Sequence, residues 1–193
     1  MINIKNIQSS VLSQGWSTLK RVTFELINQD GNWEKHTREV YDRGNGATIL
    51  LYNSQKKTVV LTRQFRIPTY LNGNTNGMMI EACAGMLDKD APEECIRREV
   101  EEETGFKIKT LKKVMEAYMS PGSVTEILYF FTAEYNDQMK TNSGGGLRSE
   151  GENIEVLEVD FNHALEMIER SEIKDGKTIM LLQYAKINGL LAS

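Results

Sequence analysis

The chain has 193 residues and a formal net charge of −4 at pH 7, with 26% charged and 40% hydrophobic residues. That length fits one well-buried domain with room for an appendage, and the composition is that of an ordinary globular protein. A mildly acidic chain without a basic block argues against nucleic acid as a partner. The absence of any apolar run near the ~18 residues of a membrane span argues against a membrane. Cys83 and Cys95 are too few for a disulfide scaffold and read as small buried hydrophobes, so the expected compartment is the cytoplasm.

In chain order, residues 17–27 and 33–41 alternate in the strand manner around Asn28–Asn32, where Asp30-Gly31 signals a hairpin. This pair reads as an N-terminal appendage, residues 1–42, with Asp42-Arg43-Gly44-Asn45-Gly46 as the junction to a main domain over 43–193. Strands are expected at 47–52 and 57–63, and a single buried strand at 78–83. A helix follows at 91–104, then strands at 110–118, 124–134 and 154–160. The polar stretch 136–151 contains Gly144-Gly145-Gly146 and reads as a long loop with no structure of its own, the kind that is often functional. Helices at 161–172 and 177–187 close the chain. Alternating elements of this kind predict an α/β sandwich: a mixed sheet with the 91–104 helix on one side and a late helix on the other.

The 91–104 helix carries the chemistry. Arg98-Glu99-Val100-Glu101-Glu102-Glu103-Thr104-Gly105-Phe106 contains four carboxylates, and Glu99, Glu102 and Glu103 share one face at i, i+3, i+4, with Glu101 opposite. Crowding like charges costs roughly 0.2–0.5 kcal/mol per pair. A cation should offset it, and oxygen ligands without His or Cys suit Mg²⁺ or Mn²⁺. Asp90 and Glu93 fit a capping box, Pro92 the first turn, and Gly105 a left-handed stop.

This run resembles the box of the Nudix hydrolases, in which a glycine, a loop glutamate and R-E-U-x-E-E-x-G-U (U bulky and apolar) form a loop-helix-loop. Arg98 through Phe106 matches every fixed position. Upstream, the glycine is Gly85, one residue later than the pattern, and the loop glutamate position falls on Asp90. The resemblance implies the Nudix α/β/α sandwich and Mg²⁺-dependent hydrolysis, with Mn²⁺ as a possible substitute. It implies that Glu99, Glu102, Glu103 and the Ala84 carbonyl hold metal, and that Arg98 orients the carboxylates. A general base, also near the metal, is expected from the 136–153 loop. Glu150 and Glu152 are both candidates, and Glu152 is favoured because it stands just before a strand. The glycine triplet is then a hinge.

Further segments are similar to the bacterial GDP-mannose pyrophosphatases within that family: 38–53, RQFR at 63–66, IEACAG at 80–85, YMSPG at 118–122 and DGKT at 175–178. The resemblance implies a nucleotide-sugar substrate lined by Trp16, Arg38, Glu39, Arg66, Gly85, Met86, Glu126 and Lys177. Thr37 stands where a basic residue is expected. The same resemblance implies a homodimer made through the N-terminal hairpin, a two-stranded unit that is marginal alone. An ADP-ribose pyrophosphatase shares the box and the sheet and is the alternative enzyme. A non-catalytic sensor on the same fold should lose box carboxylates, and this chain keeps them.

Overall fold

A computed structural model describes residues 3–191, the side chain of Glu150 excepted. The N-terminal unit, up to Asn45 together with Tyr118–Ile127, is built on an antiparallel sheet of β1 (Ile4–Gln14), β2 (Thr18–Ile27) and β3 (Trp33–Asp42). The expected hairpin is β2–β3, and its turn is closed by Asn28, whose side chain accepts from the N–H groups of Asp30 (3.1 Å) and Asn32 (2.9 Å). Strand β1 is an addition to the expected pair. Two register shifts and a left-handed Asn6 (φ 54°) interrupt its pairing with β2, and so its apolar residues do not alternate cleanly. Every residue of β1 is exposed. In the same unit Tyr41 donates to the Ser123 carbonyl (2.7 Å) and accepts from Thr125 (3.1 Å).

The second unit holds the mixed sheet. Its strands are β4 (Gly46–Asn53), β5 (Thr58–Phe65), β6 (Met78–Glu81), β7 (Cys83–Met86), β8 (Lys112–Tyr118), β9 (Ile127–Glu134) and β10 (Glu155–Asp160). They run in the order β10-β5-β4-β9-β8, with β6 on β5 and β7 on β4. β4 and β9 are parallel, whereas β4–β5 and β5–β10 are antiparallel. The helices are α1 (Ile67–Leu71), α2 (Pro92–Glu99), α3 (Phe161–Glu169) and α4 (Gly176–Ile187). Short α1 has no counterpart among the expected elements.

β4 is buried along almost its whole length, as an apolar strand covered on both faces should be. Ala47, Ile49 and Leu51 join Ile96 and Val100 of the acidic helix in one core cluster. The alternate residues Thr48 and Leu50 are equally buried, and α4, which packs on β4, buries Leu181, Leu182 and Ala185. Burying side chains such as Ile96 and Val100 contributes roughly 1.5–3 kcal/mol each. That outweighs the few tenths lost per crowded Glu pair, so the apolar face decides where the acidic helix sits.

Four local expectations change. Asp90 does not cap α2: the N-cap is Ala91, without a side-chain bond, and Pro92 fills the first turn as expected. After Glu99 the helix widens into a π turn, Val100–Thr104, before stopping at left-handed Gly105 (φ 77°). The 136–151 stretch contains two 3₁₀ turns, Asp137–Met139 and Arg148–Glu150. The expected strand 78–83 is broken in two. β4 and β5 pair only over Leu51–Asn53 and Thr58–Val60, then fork. β6 follows β5 from Phe65 to Thr62, and β7 follows β4 from Ile49 to Gly46. The chain changes partner at Ala82, whose N–H is taken by the Thr178 hydroxyl of α4 at 2.6 Å.

Candidate active site

The fork brings β7 against the acidic helix. A Cβ at Gly85 would lie 2.2 Å from Glu99 Cδ, so glycine leaves room for that carboxylate where it stands. Ala84, before it, pairs with Thr48, and the Met86 carbonyl accepts the Cys95 thiol (3.1 Å). Both cysteines are free and buried.

Across from Gly85 the three helix carboxylates stand at different depths. Glu103 is 2% exposed, and its Oε2 has no hydrogen-bond partner. Burial pushes this carboxyl up to about 8, the Cys83 thiol opposes the shift by donating to it, and the charges of Glu99 and Glu152 add to it. Glu99 and Glu102 are more open and are tied to Arg98, which lies 3.0 Å from Glu99 Oε1 and 3.3 Å from Glu102 Oε2. Asp90 joins the same guanidinium at 3.6 Å. Among the described residues, no three His, Cys, Asp or Glu side chains converge as they stand into a closed cation cage. The donor set nevertheless fits a hard divalent cation. It is all oxygen, and a buried ionised carboxylate with an unpaired oxygen is costly until a proton or a cation meets it.

The glycine triplet closes the far end of the π turn. The N–H groups of Gly145 and Gly146 donate to the carbonyls of Glu103 (2.9 Å) and Glu102 (3.1 Å), two of the acceptors that a helix end leaves open. All three glycines have left-handed φ, and a Cβ at Gly144 would lie 2.4 Å from the Glu103 oxygen. The expected hinge is therefore a cap, tied to the backbone of the acidic helix. It carries Glu152 with it: Glu152 Oε2 accepts from the Leu147 N–H at 2.9 Å. The side chain of Glu150, the other candidate base, lies outside the described residues.

Arg66 and Lys177 meet on a carboxylate outside the expected set. Glu81, at the end of β6, accepts from Arg66 Nε (3.0 Å) and Nη2 (2.7 Å) and from Gln64 (3.4 Å) on one oxygen. Lys177 Nζ stands 3.5 Å from the other oxygen and 3.0 Å from Asp175. Burial works against the Arg66 charge and Glu81 more than offsets it, so the guanidinium is held above its ordinary value. The DGKT segment explains itself here. Asp175 caps α4 by accepting from the Thr178 N–H (3.0 Å) and hydroxyl (2.5 Å), Lys177 reaches Glu81, and Thr178 holds Ala82 at the fork. A signal for Glu81 was present in the sequence: a carboxylate inside the apolar run 78–83 must be paired if the run is buried.

The remaining expected residues belong to the N-terminal unit. Trp16 is 82% exposed between β1 and β2. Arg38 and Glu39 are exposed on β3, and Arg38 donates to the Thr37 carbonyl (2.8 Å). Glu126 faces Arg43, at 3.6 Å from its Nε, a partner that sequence reading placed only at the junction.

An acidic helix behind a glycine-bearing strand, on a mixed sheet packed against helices, is the setting in which the family match falls. The NUDIX domain profile matches residues 42–181, and the chain belongs to the Nudix family of hydrolases. The profile described as the GDP-mannose pyrophosphatase NudK N-terminal domain matches residues 3–41. The chain is 55% identical over 191 residues to a GDP-mannose pyrophosphatase of Enterobacter sp. (strain 638), covering 99% of each chain. It is 57% identical over 190 residues to the GDP-mannose pyrophosphatase of Yersinia enterocolitica (98% of each) and 55% over 185 to that of Escherichia coli O157:H7 (96% of each). Nudix hydrolases as a family work with divalent metals. No helix among the described residues is long and apolar enough to cross a membrane.

Proposed function

We propose that this chain hydrolyses the diphosphate of a nucleotide sugar, GDP-mannose, to GMP and mannose 1-phosphate, with Mg²⁺ in the cytoplasm. The observation that carries the chemistry is Glu103, a buried carboxylate with an unpaired oxygen on the acidic helix. The substrate is the one named for relatives that match nearly the whole chain.

Glu99, Glu102, Glu103, Glu152 and the Ala84 carbonyl would hold the metal. When bound, a divalent cation neutralises the diphosphate, polarises phosphorus and activates a water. Arg98 orients the helix carboxylates through its ion pairs. Glu152 takes the proton of the attacking water, whose oxygen bonds to phosphorus as the bridging P–O bond breaks. Arg66 and Lys177 bind the phosphates, and Gly85 and Met86 let the substrate lie against β7. Trp16, Arg38, Glu39 and Glu126 contact the nucleotide sugar, Trp16 by stacking.

Hydrolysis in ¹⁸O-water tests the reaction: label belongs on a phosphate of GMP or of mannose 1-phosphate. GDP as product, with label on the sugar C1 hydroxyl, contradicts it. The domain organisation proposed is a dimerisation segment, residues 1–42, on a hydrolase domain, 43–193, with Trp16 contributed to the other subunit's site. Every residue of β1 is exposed, Ile4, Ile7, Val11 and Leu12 among them, which supports a covering partner. Mixing Trp16→Ala and Glu103→Gln subunits should restore activity through shared sites. A fully active wild-type monomer in light scattering contradicts this organisation.

A further inference from the structure

We propose that Glu81 is a positioning residue that presents Arg66 and Lys177 to the diphosphate, a role that rests on the reading that these two cations bind substrate. Glu81 is buried at the end of β6, one residue before the chain changes partners at Ala82. Its two oxygens are divided between the two cations. Arg66 spends Nε and one Nη2 hydrogen on Oε2, and Lys177 spends one ammonium hydrogen near Oε1 and a second on Asp175. Each cation keeps donors for a ligand: Nη1 and the second Nη2 hydrogen on Arg66, and a third hydrogen on Lys177.

The charges fix what the arrangement is for. Glu81 and Asp175 carry two negative charges, and Arg66 and Lys177 two positive ones, so the cluster is balanced without substrate. A carboxylate beside a phosphate-binding cation weakens its attraction for an anion. The compensation is order, because Arg and Lys are the side chains with the most rotamer freedom to lose on binding. Held by a buried partner, both have lost it before the substrate arrives. The anchor is itself fixed: the Glu81 carbonyl accepts from the Thr62 hydroxyl at 3.2 Å, and its strand pairs with β5. Gln64, on β5 two residues before Arg66, shares the Arg66-bound oxygen, which aligns that oxygen with β5.

Steady-state kinetics on the full-length enzyme with GDP-mannose and Mg²⁺ tests this. Glu81→Gln keeps the shape and removes the charge. KM should rise about tenfold with much less change in kcat, because what is lost is preorganised binding. The Mg²⁺ concentration for half-activation should stay at its wild-type value, a readout that disruption of the neighbouring Ala82–Ala84 backbone would move. In an Arg66→Ala/Lys177→Ala background, Glu81→Gln should add no further increase, because Glu81 then has nothing to present. Wild-type KM in Glu81→Gln overturns the proposal. So do effects that multiply in the triple variant, or a shifted Mg²⁺ requirement. If Arg66→Ala/Lys177→Ala leaves KM unchanged, the two cations do not bind substrate, and the reading of them falls together with the role of Glu81. Should Glu81→Gln not fold, Glu81→Asp poses the same question. It keeps the charge but withdraws it by one methylene from both cations, and a folded Glu81→Asp enzyme with wild-type KM overturns the proposal.

Discussion

Glu81 and Glu103 are both buried carboxylates of the same unit, 5% and 2% exposed, and their surroundings are opposite. Around Glu81 stand Arg66, Gln64 and Lys177, and both of its oxygens are engaged. Around Glu103 stand Glu99, Glu152 and a thiol, Arg66 opposes them only as the smallest of the influences on it, and one oxygen is unpaired. A buried charge that is already paired is a finished structural element, and it can act only by holding its partners still. A buried carboxylate among other carboxylates is an unfinished one, completed by a proton or by a cation from outside. Under the proposed function the first kind shapes substrate binding, and the second is where a metal would be held.

The comparison is broken most forcibly at Glu103. Glu103→Gln keeps size and removes the charge, and kcat should fall by at least about a hundredfold, the scale of losing a metal ligand or a key charge-stabilising group (about 3 kcal/mol). The variant should fold, because the metal-free carboxyl already holds its proton at pH 7 and Gln replaces it with a neutral group of the same size. Glu101→Gln, on a side chain that reaches Lys107 (3.8 Å) and none of these groups, should stay near wild-type kcat. Equal losses in the two variants would refute the assignment of faces.

A smaller effect is expected at the cap. Gly144→Ala places a side chain at φ 68° with its Cβ 2.4 Å from the Glu103 oxygen. A left-handed non-glycine of this kind costs about 1–3 kcal/mol, which denaturant unfolding will register, and the loss of alignment at Glu103 and Glu152 should lower kcat as well. Gly122→Ala, where an added Cβ meets nothing within 4 Å, is the control and should leave stability within about 0.5 kcal/mol.

The acidic helix and its end were legible because they rest on spacing alone: Arg98 to Phe106 fixes which side chains share a face, and Gly105 ends the helix where expected. The relative depth of the carboxylates was not, since it depends on a π turn that no propensity signals. Glu81 was overlooked because its partners lie 15 to 96 residues away along the chain and meet it only through the fork of β4 and β5. The fork also explains why an apolar run that reads as one strand, 78–83, is two. Strand β1 escaped because bulges disrupt the alternation by which strands are recognised. The cap role of the glycine triplet was hidden for the same reason as Glu81: three glycines signal left-handed backbone, and the sequence does not say what that backbone touches.

The weakest signature of the comparison is in the pH dependence of stability. In metal-free protein the Glu103 carboxyl titrates near 8, against about 4.5 unfolded, so between those values the folded state holds the extra proton. Its contribution is fully present below the unfolded value and is lost as pH rises toward 8. With chelator present, Tm of the wild type should therefore decline from pH 5 to pH 8 more steeply than that of Glu103→Gln. Identical slopes would contradict the raised carboxyl.

The most direct test is the proton count on metal binding. Metal ligation requires the carboxylate. Calorimetric titration of Mg²⁺ at pH 7, repeated in buffers of different ionisation enthalpy, should show about one proton released per chain by the wild type. The release should shrink toward zero by pH 9, where Glu103 is already ionised, and should be absent in Glu103→Gln. Binding heats that are independent of the buffer at pH 7, with Mg²⁺ bound tightly by both proteins, would contradict Glu103 as the unfinished charge that takes the metal.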